Sequence, residues 1–129
     1  MRVLLDTHVW LCIVAAPERL SAVGRRLVSD LGTELLLSSV SALEIAIKWR
    51  LNKLPLPDNP EVLVPEWMNR TGVTPLPVLH RHALRVAALP GHHRDPFDRL
   101  LVAQAQIEEL PILTADRVFE RYEVEVKRA

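Results

Sequence analysis

Residues 95–116 read DPFDRLLVAQAQIEELPILTAD, a helix start, a helix and a buried strand in succession, and the rest of the chain is best read outward from them. Pro96 suits a first helical position, because its ring is pre-set for the helix and its missing amide would have had no partner there; Asp95 then stands at the N-cap. The pattern predicts a helix over Pro96–Leu110 and a strand over Pro111–Thr114. Towards the N-terminus, Leu79–Leu89 reads as a helix stopped by Pro90-Gly91, and Thr74–Val78 as a short strand that Pro75 and Pro77 confine to an edge or distort. Glu61–Arg70 reads as a helix ended by Gly72, and residues 55–60, with Pro55, Pro57 and Pro60, as a loop within one domain. Val40–Leu51 has helical periodicity and follows the apolar run Leu35–Leu37, with Ser38 and Ser39 as caps. A helix from Ser21, with Leu20, Val23, Leu27 and Leu31 at helical spacing, closes at Gly32; another spans Thr7–Ala16 after the strand Val3–Leu5. Beyond the central stretch, Asp116–Arg121 reads as a short helix and Tyr122–Val126 as a last strand. Strands alternating with helices and no internal repeat predict one α/β domain over residues 1–129, a sandwich built on a mainly parallel sheet.

Apolar residues make up 49% of the 129 and charged residues 25%, which excludes wholesale disorder. Sixteen Lys and Arg offset sixteen Asp and Glu, so the chain is no generic basic nucleic-acid binder; a neutral total still accommodates an acidic pocket beside a basic rim. Cys12 is the single cysteine and has no internal disulfide partner. Asp6 interrupts the N-terminal apolar run where a signal peptide needs an apolar core, and no stretch approaches the length of a membrane span. The expectation is a cytoplasmic protein with no membrane association.

In open parallel sheets, ligands sit beyond the carboxyl ends of the strands, so the polar residues that follow the apolar runs carry most weight. Asp6 follows the first run and Asp116 the last buried one; each also suits a helix N-cap. Asp98 falls at the third helical position, and Leu101, Val102 and Ala105 lie three, four and seven residues on. It therefore heads the stripe that packs on the sheet. Glu44 shares a narrow polar strip with Ser41, Lys48 and Asn52 on an otherwise apolar helix, a pattern that also fits a solvated face with a Glu44–Lys48 pair. Brought together, these acids would repel one another. A hard divalent cation, Mg²⁺ or Mn²⁺, offsets such repulsion, takes carboxylate oxygens by preference, and activates water for phosphodiester hydrolysis. Arg94, with His92 and His93 in the loop before Asp95, together with Arg99 and Arg117, forms a candidate phosphate-contacting rim or a merely solvated basic loop. Thirteen of the sixteen bases are Arg, which suits phosphate.

Four segments, Leu4-Leu5-Asp6-Thr7-His8-Val9-Trp10, Ser41-Ala42-Leu43-Glu44-Ile45, Asp95 to Ala105 and Leu113-Thr114-Ala115-Asp116, occur in the order seen in PIN-domain ribonucleases. From Arg2 to about Tyr122 the chain resembles them, and most closely the VapC toxins of VapBC type II toxin–antitoxin systems. The resemblance implies a three-layer α/β/α sandwich and an acidic pocket that binds one or two Mg²⁺ or Mn²⁺ ions. By position, Asp6, Glu44, Asp98 and Asp116 match the family's acidic quartet, Asp95 a frequent additional acid, and Thr114 a hydroxyl at the pocket's edge. It further implies an endoribonuclease in which Asp6, Asp98 and Asp116 hold the metal and Glu44 coordinates it or orients the attacking water. The expected partners are an RNA substrate, a VapB-like antitoxin that wraps the toxin and covers its active site, and a second copy of the chain. The apolar helix carrying Trp49, and also Trp10 and Leu11, are candidates for such contacts or for the core.

Other readings are a PIN-domain nuclease of RNA maturation or quality control, a non-catalytic PIN-like binding module, and a receiver-like phosphorylation domain. The last needs an acceptor Asp after a mid-chain strand, where this sequence reads as helix and proline loop.

Overall fold

The computed structural model describes residues 1–129. Five strands, β1 (Arg2–Leu5), β2 (Glu34–Ser38), β3 (Thr74–Leu76), β4 (Ile112–Thr114) and β5 (Val126–Arg128), form one sheet in the order β3-β2-β1-β4-β5. Every neighbouring pair is parallel. Leu36 of β2 pairs with Thr74, and Leu5 of β1 with Leu113. The proline-bearing β3 lies at an edge, where Pro75 has no second neighbour to disappoint.

Six α-helices complete the fold: α1 (Thr7–Ala15), α2 (Ala22–Ser29), α3 (Ser39–Arg50), α4 (Pro60–Thr71), α5 (His80–Arg85) and α6 (Pro96–Glu108). They cover both faces of the sheet, so its strands are unbroken apolar runs instead of alternating ones. Val3, Leu5, Leu35, Leu37 and Leu113 turn to one side and pack with Val9 and Trp10 of α1, Ile45 of α3 and Val64 of α4. Leu4, Leu36, Leu76 and Ile112 turn to the other, against Leu101, Val102 and Ala105 of α6 and against Phe119 and Tyr122. Cys12 packs at the margin of the first cluster.

Several boundaries differ from the sequence reading. α2 ends at Ser29, and Leu31 is fully exposed while Val23 is half-exposed; Asp30 accepts from the Gly32 amide in a turn that takes over from the helix. The Leu79–Leu89 helix is α5 followed by a 3-10 turn over Val86–Ala88. The last strand begins at Val126, not Tyr122, because Tyr122 places its ring in the core and leaves strand pairing to the residues after it. Trp10 is fully buried, donates its indole N–H to Thr71 Oγ1 at 3.1 Å and meets Trp67 edge-on, so it is core and not a contact surface.

Gly72 ends α4 in the left-handed region at φ 68°, with its amide on the Met68 carbonyl. A Cβ there would meet nothing within 4 Å, so Gly72→Ala isolates backbone strain. A loss of about 1 kcal/mol is expected, read as a lower urea midpoint with unchanged slope.

Candidate active site

The strand order turns back between β1 and β4: β2 and β3 lie to one side of β1, β4 and β5 to the other. The carboxyl end of the sheet at that switch is where ligands of such folds are held. Asp6 directly follows β1, and Asp116 follows β4 by one residue. α3 contributes Glu44 and Lys48, and the first turn of α6 contributes Asp98 with its cap Asp95. These six side chains, with His8, Val9 and Ala115, line one cavity of about 250 Å³.

Each acid has its own partners. Asp6 is buried and makes no side-chain cap bond to α1; its Oδ2 accepts from Thr114 Oγ1 at 2.7 Å instead. The Thr114 hydroxyl also accepts from the Asp116 amide, tying the ends of β1 and β4 together. Asp95 does cap α6, accepting from the Phe97 amide at 2.8 Å. Asp116 both caps, through Oδ1 on the Val118 amide, and reaches His93 Nε2 through Oδ2 at 3.0 Å. Glu44 is buried and paired with Lys48. The polar strip of α3 therefore faces inward, with Ser41 bonded to Thr7, while Leu43 and Ile47 face solvent.

Electrostatics mark the cluster as short of positive charge. Burial, then the charges of Asp6 and Asp95, push the Asp98 carboxyl up to about 7, with His93 opposing and Glu44 adding to the rise. Burial raises Asp6 too; the Thr114 hydrogen bond opposes it, and the charges of Glu44 and Asp116 add to it. Asp116 runs the other way. Burial would raise it, but hydrogen bonds from His93 and the Val118 amide, with the His93 charge, hold it below the usual carboxylate range. The Glu44 hydrogen bond raises Lys48 against the effect of burial.

His93, which the sequence placed only in the loop of the candidate basic rim, instead meets the acids. Its side chain is 8% exposed and lies 4.0 Å from Asp98 Oδ2 as well as 3.0 Å from Asp116. One ligand atom each from His93, Asp98 and Asp116 fall within 4.8 Å of one another. Carboxylates gathered in a concave, partly buried place, two of them held above their usual range, form a donor set suited to a hard divalent ion.

The basic rim is only partly where the sequence suggested. Arg94 and Arg117 are exposed beside the pocket-forming acids. Arg99 turns away and donates to the carbonyls of Val86, Leu89 and Pro90, closing the end of the 3-10 turn. Removing those charged donors in Arg99→Met is expected to cost about 2 kcal/mol, seen as a lower melting temperature. His82 is likewise structural: fully buried, it accepts from the Leu79 amide and meets Glu108 at 2.8 Å.

A parallel sheet that gathers acids at its switch point defines a class of α/β domains with an acidic pocket at the strands' carboxyl ends. Within that class the chain belongs to the PIN domain family, whose model matches residues 3–125. It is 48% identical over 58 residues to Ribonuclease VapC16 of Mycobacterium tuberculosis (strain ATCC 25618 / H37Rv), a match covering 45% of this chain and 41% of that protein. In fold it is similar to a chain of VapBC2 from Rickettsia felis bound to a DNA fragment from their promoter, with TM-score 0.72 and 12% identity over 99% of this chain and 98% of that one. It is also similar to a chain of DNA-bound VapBC from Salmonella typhimurium, with TM-score 0.69 and 19% identity over 99% and 98%. No helix is long and apolar enough to cross a membrane.

Proposed function

We propose that the chain is a divalent-metal-dependent endoribonuclease of the VapC type, a toxin restrained by a VapB-like antitoxin. The observation that carries this reading is the convergence of Asp6, Glu44, Asp95, Asp98 and Asp116 on one cavity at the switch point of the sheet. The part-length likeness to a ribonuclease supports the reaction, and the fold it shares with chains of VapBC complexes supports the partner.

Asp6, Asp98 and Asp116 would hold one or two Mg²⁺ or Mn²⁺ ions, with Asp95 mainly capping α6. Such an ion, when bound, supplies charge neutralisation at the phosphate and a more acidic water. Thr114 fixes the Asp6 carboxylate, leaving its other oxygen free to face the cavity. Glu44 orients the attacking water, and Lys48 holds the Glu44 carboxylate in place by pairing with it. The water attacks phosphorus in line, the bond from phosphorus to the 3′ oxygen breaks, and the products carry a 5′-phosphate and a 3′-hydroxyl. Arg94 and Arg117 contact flanking phosphates. Exposed Leu43 and Ile47 on α3 and Leu84 on α5 offer apolar surface for a second copy of the chain.

Incubating the purified chain with single-stranded RNA and Mn²⁺ should yield 5′-phosphorylated fragments. EDTA or Asp6→Asn should abolish them, and cleavage that survives both would refute the metal–carboxylate chemistry. Co-expression with the protein of an adjacent small reading frame should give a co-purifying, inactive complex; growth unaffected by the chain alone would count against toxicity.

A further inference from the structure

We propose that His93 supplies a nitrogen ligand to the divalent ion, giving the pocket a mixed nitrogen–oxygen donor set that favours first-row transition ions over Mg²⁺. The inference rests on the reading of this cavity as an ion site and adds a ligand, and a selectivity, that the acids alone do not provide.

The ring is fixed on three sides. It stacks on Tyr122 with 6° between planes and a centroid separation of 5.5 Å, and leans on Phe119 at 4.7 Å. Tyr122 Oη accepts from the His93 amide at 2.9 Å and lies 3.1 Å from Nδ1. One ring nitrogen is thus occupied by the phenol, and Nε2 is the one presented to the acids. To bind an ion, Nε2 gives up its proton and its hydrogen bond to Asp116, and the ring carries its proton on Nδ1, donated to Tyr122 Oη as the outer partner that sets its orientation.

The separations fit coordination. Six ligands at about 2.1 Å from an ion stand about 3.0 Å apart when adjacent and about 4.2 Å apart when opposite. His93 Nε2 is 3.0 Å from Asp116 Oδ2 and 4.0 Å from Asp98 Oδ2. The first distance is also that of a hydrogen bond, while the second is too long for one and falls in the range of opposite ligands. Mg²⁺ holds to oxygen ligands and gives up water reluctantly, whereas transition ions gain affinity from imidazole nitrogen.

The test is pulsed electron paramagnetic resonance of the full chain loaded with Mn²⁺. A directly bound ¹⁴N coupling is expected in the unmodified protein, absent in His93→Gln and retained in His8→Gln, which alters the histidine that lines the cavity itself. By calorimetry, the ratio of Mn²⁺ to Mg²⁺ affinity should fall about tenfold in His93→Gln. If that variant does not fold, ¹⁵N-histidine labelling of the His8→Gln chain decides, since a coupling that changes there to that of ¹⁵N comes from a histidine other than the one lining the cavity, and His93 is the one in contact with the acids. Mn²⁺ bound without a nitrogen coupling, or an affinity ratio unchanged in His93→Gln, overturns the inference. Failure to bind Mn²⁺ at all is a different result and overturns the ion-site reading beneath it.

Discussion

Asp98→Asn is expected to lower RNA cleavage by about 10³-fold or more while making the ion-free protein more stable near pH 8. On the proposed reading the first effect follows from losing a carboxylate that would hold the ion, and with it the ion's stabilisation of charge developing at the phosphate, about 4 kcal/mol of barrier at that factor. The second follows from the pocket itself. Asp98 ionises only near pH 7, because burial and the charges of Asp6 and Asp95 oppose its negative form. At pH 8 without an ion the fold therefore carries a charge its surroundings disfavour. Asparagine keeps the shape and removes the charge, for a gain of about 1–3 kcal/mol. Single-turnover cleavage and thermal melts in chelator check the two halves. A variant that is inactive and also melts lower than the parent would mean that Asp98 stabilises the empty pocket, against this account.

The ion-free protein is also expected to lose stability as pH rises from about 4 to about 7. Over that window Asp98 is still protonated in the fold but ionised in the unfolded chain, whose carboxyl has its ordinary value of 3.8. The folded state then binds more protons, so each rise in pH favours unfolding, by about 1–3 kcal/mol across the window once solvent screening of this partly exposed group is allowed for. Asp6 is shifted in the same direction and adds to the loss. Asp116 is held low, and its contribution is lost on the acid side, as pH falls through its folded value. Mn²⁺ should reverse the upper limb. It should raise the melting temperature more at pH 8 than at pH 5, and calorimetry in two buffers should register protons released on binding at pH 6. A melting temperature that, in chelator, is flat from pH 4 to pH 7 would remove the electrostatic basis of the pocket.

Much of this was legible in the sequence because the sheet is buried on both faces. Val3–Leu5, Leu35–Leu37 and Ile112–Leu113 are unbroken apolar runs for that reason, and each is a strand. Pro96 and Gly72 mark helix ends through backbone chemistry that needs no tertiary context. What failed was local inference about residues whose partners lie far along the chain. Asp6 looks like a cap until Thr114 takes its oxygen, and the Glu44 strip looks solvated until α3 settles over the switch point. Val23 and Leu31 continue a helical stripe that the fold leaves unburied. His93 could have been suspected only from its place two residues before Asp95; its contacts with Asp116 and Tyr122 arise from the folded loop. Arg99, adjacent to an acid in the sequence, spends its guanidinium on carbonyls behind the helix.

The hydrogen bond between Asp6 and Thr114 joins residues 108 positions apart and is the clasp that closes the pocket. A chain still emerging from the ribosome has Asp6, Glu44 and eventually Asp98, but no β4 to set beside β1. Until residues 112–116 clear the exit tunnel, the acids have no common wall and a truncated product has no assembled centre. On the reading proposed above, the nuclease is in this way kept inert beside the message and ribosome that make it.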